Sequence, residues 1–332
     1  MSAAAEVSGG AGEAVAGGVD MGVDLAGARL PGPVMTASGC AAAGRELDAF
    51  TDVAALGAVV TKSVMLAARS GRPTPRMAET PAGMLNSIGL QGGGVDALVE
   101  HDLPWLAGRG ARAVVSVAGG DAAEFAEVAR RVVTSPAAAG VAALEVNISC
   151  PNVANRGLVF ACDPGSSAAV LAAVRAAVGD DVVLLAKLSP DVTDLVAVAR
   201  ACLEAGASGL TAINTLLGVD VDVRTMRPRL AVTTGGLSGP AIRPVAVRCV
   251  WQLRAAMLAG LLPTAPVVGT GGVASGADAL QLVLAGASAV QVGTAVFADP
   301  GTPGRVAAEL ETMLAERGFR ALGEAVGYAH RP

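Results

Sequence analysis

The chain has 332 residues, of which 52% are hydrophobic and 2% aromatic, and a formal net charge of −5. So much apolar content supports a large buried core and excludes disorder over the whole chain. The acidic balance and the shortage of aromatics argue against a general phosphate-backbone binder and against a stacking platform for single-stranded nucleic acid. They leave room for one small phosphate in a pocket.

Residues 1–20 are rich in Ala, Gly and Val with scattered acids, and lack the basic start and long apolar stretch of a signal peptide. They are expected to form a disordered tail. From about residue 30, short apolar runs alternate with helical periods. Strands are expected at 34–37, 58–62, 112–117, 141–147, 182–187, 208–213, 265–269 and 288–292. They are rich in Val, Leu, Ile and Ala, as parallel strands covered on both faces should be. Helices are expected at 45–56, 94–107, 121–133, 165–178, 191–205, 241–258, 275–285 and 302–316, with Asp191 and Ser275 as N-caps. Two uncharged segments, 255–277 and 279–298, carry Pro263, Pro266, Gln281, Gln291 and glycine turns. Each reads as helix, turn and strand, not as a membrane span. Eight strand–helix units predict an α/β protein, a single-domain (β/α)8 barrel over 21–332, with an open doubly wound sheet as the alternative. Three connections, 63–93, 148–164 and 214–240, are too long for simple turns. In a barrel the loops that follow strands line the catalytic face.

The polar inventory is thin. His101 and His330 are the only histidines, and neither sits in a metal or hydrolase motif. The five cysteines, Cys40, Cys150, Cys162, Cys202 and Cys249, form no CxxC pattern. Reduced thiols and a cytoplasmic protein without a metal centre follow. Of 24 basic residues only Lys62 and Lys187 are lysines, and both end apolar strand-like runs. On the barrel frame Ser38, Lys62, Ser116, Asn147, Lys187, Asn214, Gly271, Gly272, Gly293 and Thr294 all fall at or just after strand ends, on one rim. The last two loops read GTGG (269–272) and VGTA (292–295). Glycines there let backbone N–H groups approach a phosphate, which barrels commonly bind after strands seven and eight. GTGGVA (269–274) also matches a dinucleotide fingerprint, but Asp278 is too early and Asp299 too late for its acidic partner.

The strongest local signal is NISCPN (147–152). Pro151 resists helix formation and holds the Cys150 thiol on a rim loop, where a thiol can serve as a proton-abstracting base. Cys40, Cys162, Cys202 and Cys249 read instead as small buried apolar residues.

At this point the chain resembles the class 1 dihydroorotate dehydrogenases, soluble flavin barrels of pyrimidine synthesis. The resemblance rests on MTASGC (35–40), VTKS (60–63), RPTPR (72–76, similar to NPTPR), MLNSIGLQ (84–91), LPWL (103–106), LEVNISCPN (144–152), AKLSP (186–190), INTLLGV (213–219), TGGLSGPAIRPVA (234–246), GTGGV (269–273) and AGASAVQVGTAVFADP (285–300). INT and TGGLSG resemble class 1B, which passes electrons to NAD through a partner subunit. TKS and GTGG are similar to class 1A, which reduces fumarate.

The resemblance implies roles. Cys150 is the base. Lys62, Asn86, Ser87, Ile88, Gly89, Leu90, Asn147, Asn152, Asn214 and Thr215 bind substrate. Ser38, Lys62, Ser63, Ser116, Asn147, Lys187, Ile213, Gly239, Gly271, Gly272, Gly293 and Thr294 hold FMN. SVAG stands where class 1B has NVAG, so Ser116 is a departure. The implied reaction takes (S)-dihydroorotate to orotate on the route to UMP, and Lys187 balances charge on the flavin. The implied assembly is a homodimer, or a heterotetramer with a subunit carrying FAD and an iron–sulfur cluster. Neither nucleic acid nor membrane is expected as a partner. Three other readings remain at this stage: a flavin barrel that reduces uracil or thymine, a flavin-free aldolase using Lys62 or Lys187 as a Schiff base, and a non-catalytic phosphate- or flavin-binding barrel.

Overall fold

The computed structural model describes residues 18–149 and 163–332. The greater part of the expected tail, Cys150, Asn152 and Cys162 lie outside the described residues. Eight parallel strands form the centre: β1 (Val34–Thr36), β2 (Val59–Val60), β3 (Ala113–Val117), β4 (Val141–Val146), β5 (Leu184–Leu188), β6 (Gly209–Ala212), β7 (Val267–Thr270) and β8 (Ala289–Val292). Each pairs with its neighbour in chain order from β2 to β8, and β8 returns to β1 through Val290↔Val34, Gln291↔Met35 and Val292↔Thr36. A parallel bridge between Met35 and Ala58, with Gly57 N–H donating to Val34 O at 2.8 Å, closes the ring. The expected (β/α)8 barrel is therefore the fold. All five residues of β3 and of β5 are buried, which is why these strands read as apolar runs interrupted only at Ser116 and Lys187 instead of alternating ones.

The outer layer begins with α1, which runs as an α-turn Gly94–Ala97, a π-turn Leu98–Asp102 and an α-turn Leu103–Gly108. Pro104 has no N–H to offer the carbonyl four residues earlier, so a register change within this helix has a local cause. It is followed by α2 (Ala122–Val133), α3 (Pro164–Val178), α4 (Leu195–Glu204), α5 (Arg243–Leu258), α6 (Gly276–Ala285) and α7 (Thr302–Glu316). In α2 the Asp121 side chain accepts from Glu124 N–H at 2.9 Å, and Phe125, Val128, Ala129 and Val132 form the buried stripe. Ser275 caps α6 as expected.

Three local expectations are corrected. No α-helix fills 45–56, only a 3-10 turn at Leu47–Ala49. There Asp48 and Asp52 carboxylates accept from the N–H groups of Val53 and Ala54, drawing the backbone into turns. The cap of α4 is Asp194, accepting from Ala197 N–H at 2.9 Å, whereas Asp191 accepts from Leu217 N–H at 2.9 Å. Val19 and Asp20, expected in the tail, belong to the folded body: Val19 is buried and Asp20 pairs with the backbone of Arg320 and Leu322.

Two of the long connections fold into structure of their own. Met77–Thr80, Gly83–Asn86, Gly235–Ser238 and Leu216–Gly218 form a four-stranded antiparallel sheet beside the barrel mouth. It joins residues from the β2 and β6 connections, so chain segments 150 positions apart face each other at Asn86 and Gly236.

Candidate active site

Backbone hydrogen bonds extend the barrel past its strand ends and fix the side chains there. Lys62 N–H donates to Ala42 O at 2.9 Å and Asn147 N–H to Val117 O at 2.9 Å. Beyond β6, the Ile213 and Asn214 N–H groups donate to Thr270 O at 2.9 Å and Leu188 O at 2.8 Å. Asn147, Ile213 and Asn214 are therefore set by bonds to neighbouring strands, and Lys62 by a bond to the connection after β1.

The carboxamides and hydroxyls at this end form one continuous chain. Thr215 N–H donates to Asn214 Oδ1 (2.8 Å), Asn214 Nδ2 to Asn147 Oδ1 (3.1 Å), and Asn147 Nδ2 to Ser63 Oγ (3.0 Å), which lies 2.8 Å from Ser116 Oγ. Ser116 N–H in turn donates to Thr61 Oγ1 at 3.2 Å. Each link uses a donor and an acceptor, so the orientation of every amide is determined by its neighbour. Asn86 comes in from the side sheet, its Nδ2 donating to Gly236 O at 3.3 Å. Gly236 must be glycine here: a Cβ would lie 2.1 Å from Thr215 Oγ1.

A second, buried set meets the cleft at Lys187 and Thr270. Lys187 is 3% exposed, Glu145 0% and Gln291 1%. Lys187 Nζ donates to Gln291 Oε1 at 2.8 Å and lies 3.5 Å from Glu145 Oε2. Gln291 Nε2 donates to the same Glu145 oxygen at 2.7 Å, and Thr270 Oγ1 donates to Gln291 Oε1 at 2.8 Å. Burial pushes the Lys187 ammonium down from the usual lysine range, and Glu145 opposes that shift. Cys40 lies in the field of both lysines, yet burial pushes its thiol up to about 11.

The remaining rim comes from the β6, β7 and β8 connections. Gly239, Gly271, Gly272, Gly293 and Thr294 line the cleft together. Gly272 has φ +74°, and a Cβ there would lie 2.7 Å from Arg243 Cβ. Arg243 pairs with Asp278, whose other oxygen accepts from Ala274 N–H at 3.0 Å, bracing the loop against α5 and α6. Thr294 Oγ1 donates to Ser238 Oγ at 2.8 Å and ties the β8 loop to the side sheet.

These features share one cleft of about 1190 Å³. Of the residues expected at the site, Ser38, Lys62, Ser63, Asn86, Ser87, Ile88, Gly89, Leu90, Asn147, Lys187, Ile213, Asn214, Thr215, Gly239, Gly271, Gly272, Gly293 and Thr294 all line it. Ser116 does not: it is buried behind Ser63 and acts through that hydroxyl. Cys150 and Asn152 lie outside the described residues, although the chain reaches the cleft at Ser149, whose Oγ donates to Lys187 O at 2.8 Å.

Cys40, expected as a core residue, lines the cleft, because Gly39 at φ +86° turns the chain across the barrel mouth. Cys202 and Cys249 are buried as expected. Sequence reasoning missed Glu145, Thr270 and Arg72. Glu145 had a usable signal, since a lone acid inside the apolar strand VAALEV must find a buried partner. Arg72 lines the cleft and donates to Ser87 Oγ at 2.7 Å.

A closed parallel barrel with a glycine-lined rim, a buried lysine and carboxamides at the C-terminal ends of its strands has the architecture of the α/β-barrel enzymes, whose active sites lie at that face. The particular family is set by likeness to known proteins. The sequence profile of the dihydroorotate dehydrogenase family matches residues 21–314, and the chain belongs to that family. It is 47% identical over 308 residues to the Geobacter sulfurreducens protein named dihydroorotate dehydrogenase B (NAD(+)), catalytic subunit, covering 93% of this chain and 97% of that one. Proteins of the same name from Trichlorobacter lovleyi (48% over 307 residues, 92% and 97% covered) and Anoxybacillus flavithermus (47% over 305 residues, 92% and 94% covered) are similarly close.

Proposed function

We propose that this chain oxidises (S)-dihydroorotate to orotate as the NAD-linked catalytic subunit of a class 1B enzyme, on the route to UMP. The observation that carries the reading is the gathering of Asn86, Asn147, Asn214, Lys62 and Lys187 in one cleft, with Asn147 and Asn214 hydrogen-bonded to each other and Lys187 backed by Glu145. A cyclic ureide alternates N–H and C=O around its ring, and carboxamides offer a donor and an acceptor from one side chain. Lys62 supplies a point charge for the substrate carboxylate.

The residues also fit FMN. Gly239, Gly271, Gly272 and Gly293 put main chain on the cleft wall, since a Cβ at Gly239, Gly271 or Gly272 would lie 2.7 Å from Gly83, Ala246 or Arg243, and the cleft is large enough for a ring system and a small substrate together. Ser38, Ser63, Asn147, Ile213 and Thr294 would hold its remaining polar edges, with Ser116 bracing Ser63. Lys187 would face the part of the ring that becomes negative, where a buried cation acts without reorganisation. When bound, FMN accepts the hydride that leaves C6 of the substrate. Cys150, the residue after Ser149, removes the proton from C5.

Electrons leave through a partner subunit carrying FAD and an iron–sulfur cluster, and the barrel pairs with a second copy of itself. The reaction is placed in the cytoplasm. Among the described residues no helix is long and apolar enough to cross a membrane. The names of the relatives favour NAD over fumarate as the final acceptor.

The test is anaerobic mixing of the purified yellow protein with dihydroorotate, followed by fumarate, a quinone or NAD, with and without a co-purifying subunit. Dihydroorotate should bleach the flavin, and NAD should be reduced only with the second subunit present. Bleaching by dihydrouracil and not by dihydroorotate refutes the substrate assignment. A colourless protein trapped on lysine by borohydride refutes the flavin reading altogether.

A further inference from the structure

We propose that Glu145, bridged by Gln291, is a positioning residue that supplies the buried counter-charge holding Lys187 as an ammonium at the floor of the cleft. This rests on the reading of Lys187 as the residue beneath the flavin.

The geometry is one-sided. Lys187 lines the cleft, whereas Glu145 and Gln291 do not, so the cation faces the ligand and the anion stands behind it. Glu145 approaches Lys187 at 3.5 Å, and Gln291 closes the triangle by accepting from Lys187 at 2.8 Å and donating to Glu145 at 2.7 Å. Thr270 donates to the Gln291 oxygen, which prevents the amide from turning its NH2 toward the ammonium. The other Glu145 oxygen has no hydrogen-bond partner among the described residues. A fully buried carboxylate satisfied on one side only is costly, and a buried pair of this kind adds little net stability over a well-packed apolar replacement. Its yield is charge at one place.

Among the described residues the charged and titratable groups around Lys187 are few. Glu145 lies on β4 and Cys40 on the β1 loop, and Lys62 lines the same cleft as a like charge. Burial favours the neutral amine, and Glu145 is the group that opposes it. With Glu145 in place the cation persists whatever the charge on the bound ring. Without it, the lysine takes up its proton only when the ring becomes negative, so flavin reduction consumes one more proton.

The sequence makes this directly measurable, because Lys62 and Lys187 are the only lysines. Holoprotein grown on lysine labelled at Cε and Nζ has two side-chain ammonium signals, assigned with Lys62→Arg. Wild-type Lys187 should remain protonated through pH 8. In Glu145→Gln its proton affinity should fall at least tenfold, and Glu145→Asp should restore part of it. The flavin midpoint potential of Glu145→Gln should gain a pH slope of about 30 mV per unit, the value for one extra proton in a two-electron couple.

Identical lysine titrations in wild type and Glu145→Gln overturn the proposal. If that variant does not fold, the wild-type titration still decides, since a neutral Lys187 at pH 7.5 overturns it. Failure of dihydroorotate to reduce the flavin would sink the functional reading and leave the lysine titration standing. An unshifted titration in an active enzyme does the reverse.

Discussion

Replacing Lys187 with Met tests the energetics of the barrel floor. The substitution keeps an unbranched chain of similar reach and removes one charge. It leaves Glu145 at 0% exposure with Gln291 Nε2 as its donor and no cation. At 3.5 Å separation, and an effective dielectric of 20, the lost attraction is about 5 kcal/mol. Removing one partner of a buried pair typically costs about 3–5 kcal/mol, a large part of a total stability of about 5–15 kcal/mol. The stranded carboxylate is the source of that cost. Lys187→Met/Glu145→Gln should therefore be more stable than Lys187→Met alone by at least about 2 kcal/mol, a non-additivity expected for residues in contact. Urea unfolding followed by circular dichroism reads both values on flavin-free protein, so that lost ligand binding does not enter. A loss below about 1 kcal/mol in the single variant, or simple addition in the double, refutes the reasoning that Glu145 is a charged and uncompensated group once the lysine is gone.

Other consequences are accessible to standard assays. Cys150→Ala should keep its flavin and slow anaerobic flavin reduction by dihydroorotate about 100- to 10000-fold; a near-normal stopped-flow rate removes Cys150 from the base role. Cys40, held near pKa 11, has its thiolate suppressed until the pH approaches that value. Its alkylation by iodoacetamide, read by peptide mass spectrometry at pH 7.5, should be about 100-fold slower than that of an ordinary thiol and should rise toward pH 11. Fast modification at neutral pH contradicts the burial argument. Gly236→Ala would press a methyl group onto Thr215 and, through it, onto Asn214. Calorimetry should show orotate binding weakened at least tenfold, with a stability loss of about 1–3 kcal/mol; unchanged affinity means the side sheet does not set the carboxamide ring.

The barrel itself was legible because each of its strands carries its own signal. A run such as Ala113–Val117 is apolar but for Ser116, since helices cover one face and the barrel interior the other. A helix start was legible where one side chain decides, as at Ser275, and misread where two acids compete, as at Asp191 and Asp194. Ser38, Lys62, Asn147, Lys187, Asn214, Gly271, Gly272, Gly293 and Thr294 followed from strand ends, because a barrel places every strand terminus on one face, whereas Asn86, Thr215 and Gly239 came only from the family resemblance.

What the amino-acid order determined by itself was thus local: the alternation of strand and helix, the glycines of the last two loops, and the two lysines ending apolar runs. The tertiary structure alone decided which distant groups meet. Glu145 and Gln291 are 146 positions apart and become partners only when β8 closes against β1 and turns both side chains inward. Asn86 reaches the cleft only because Gly83–Asn86 pairs with Gly235–Ser238, a contact that no window of sequence contains. Short-range propensity reports on neighbours along the chain, whereas the charge balance of a buried site is set by neighbours across it.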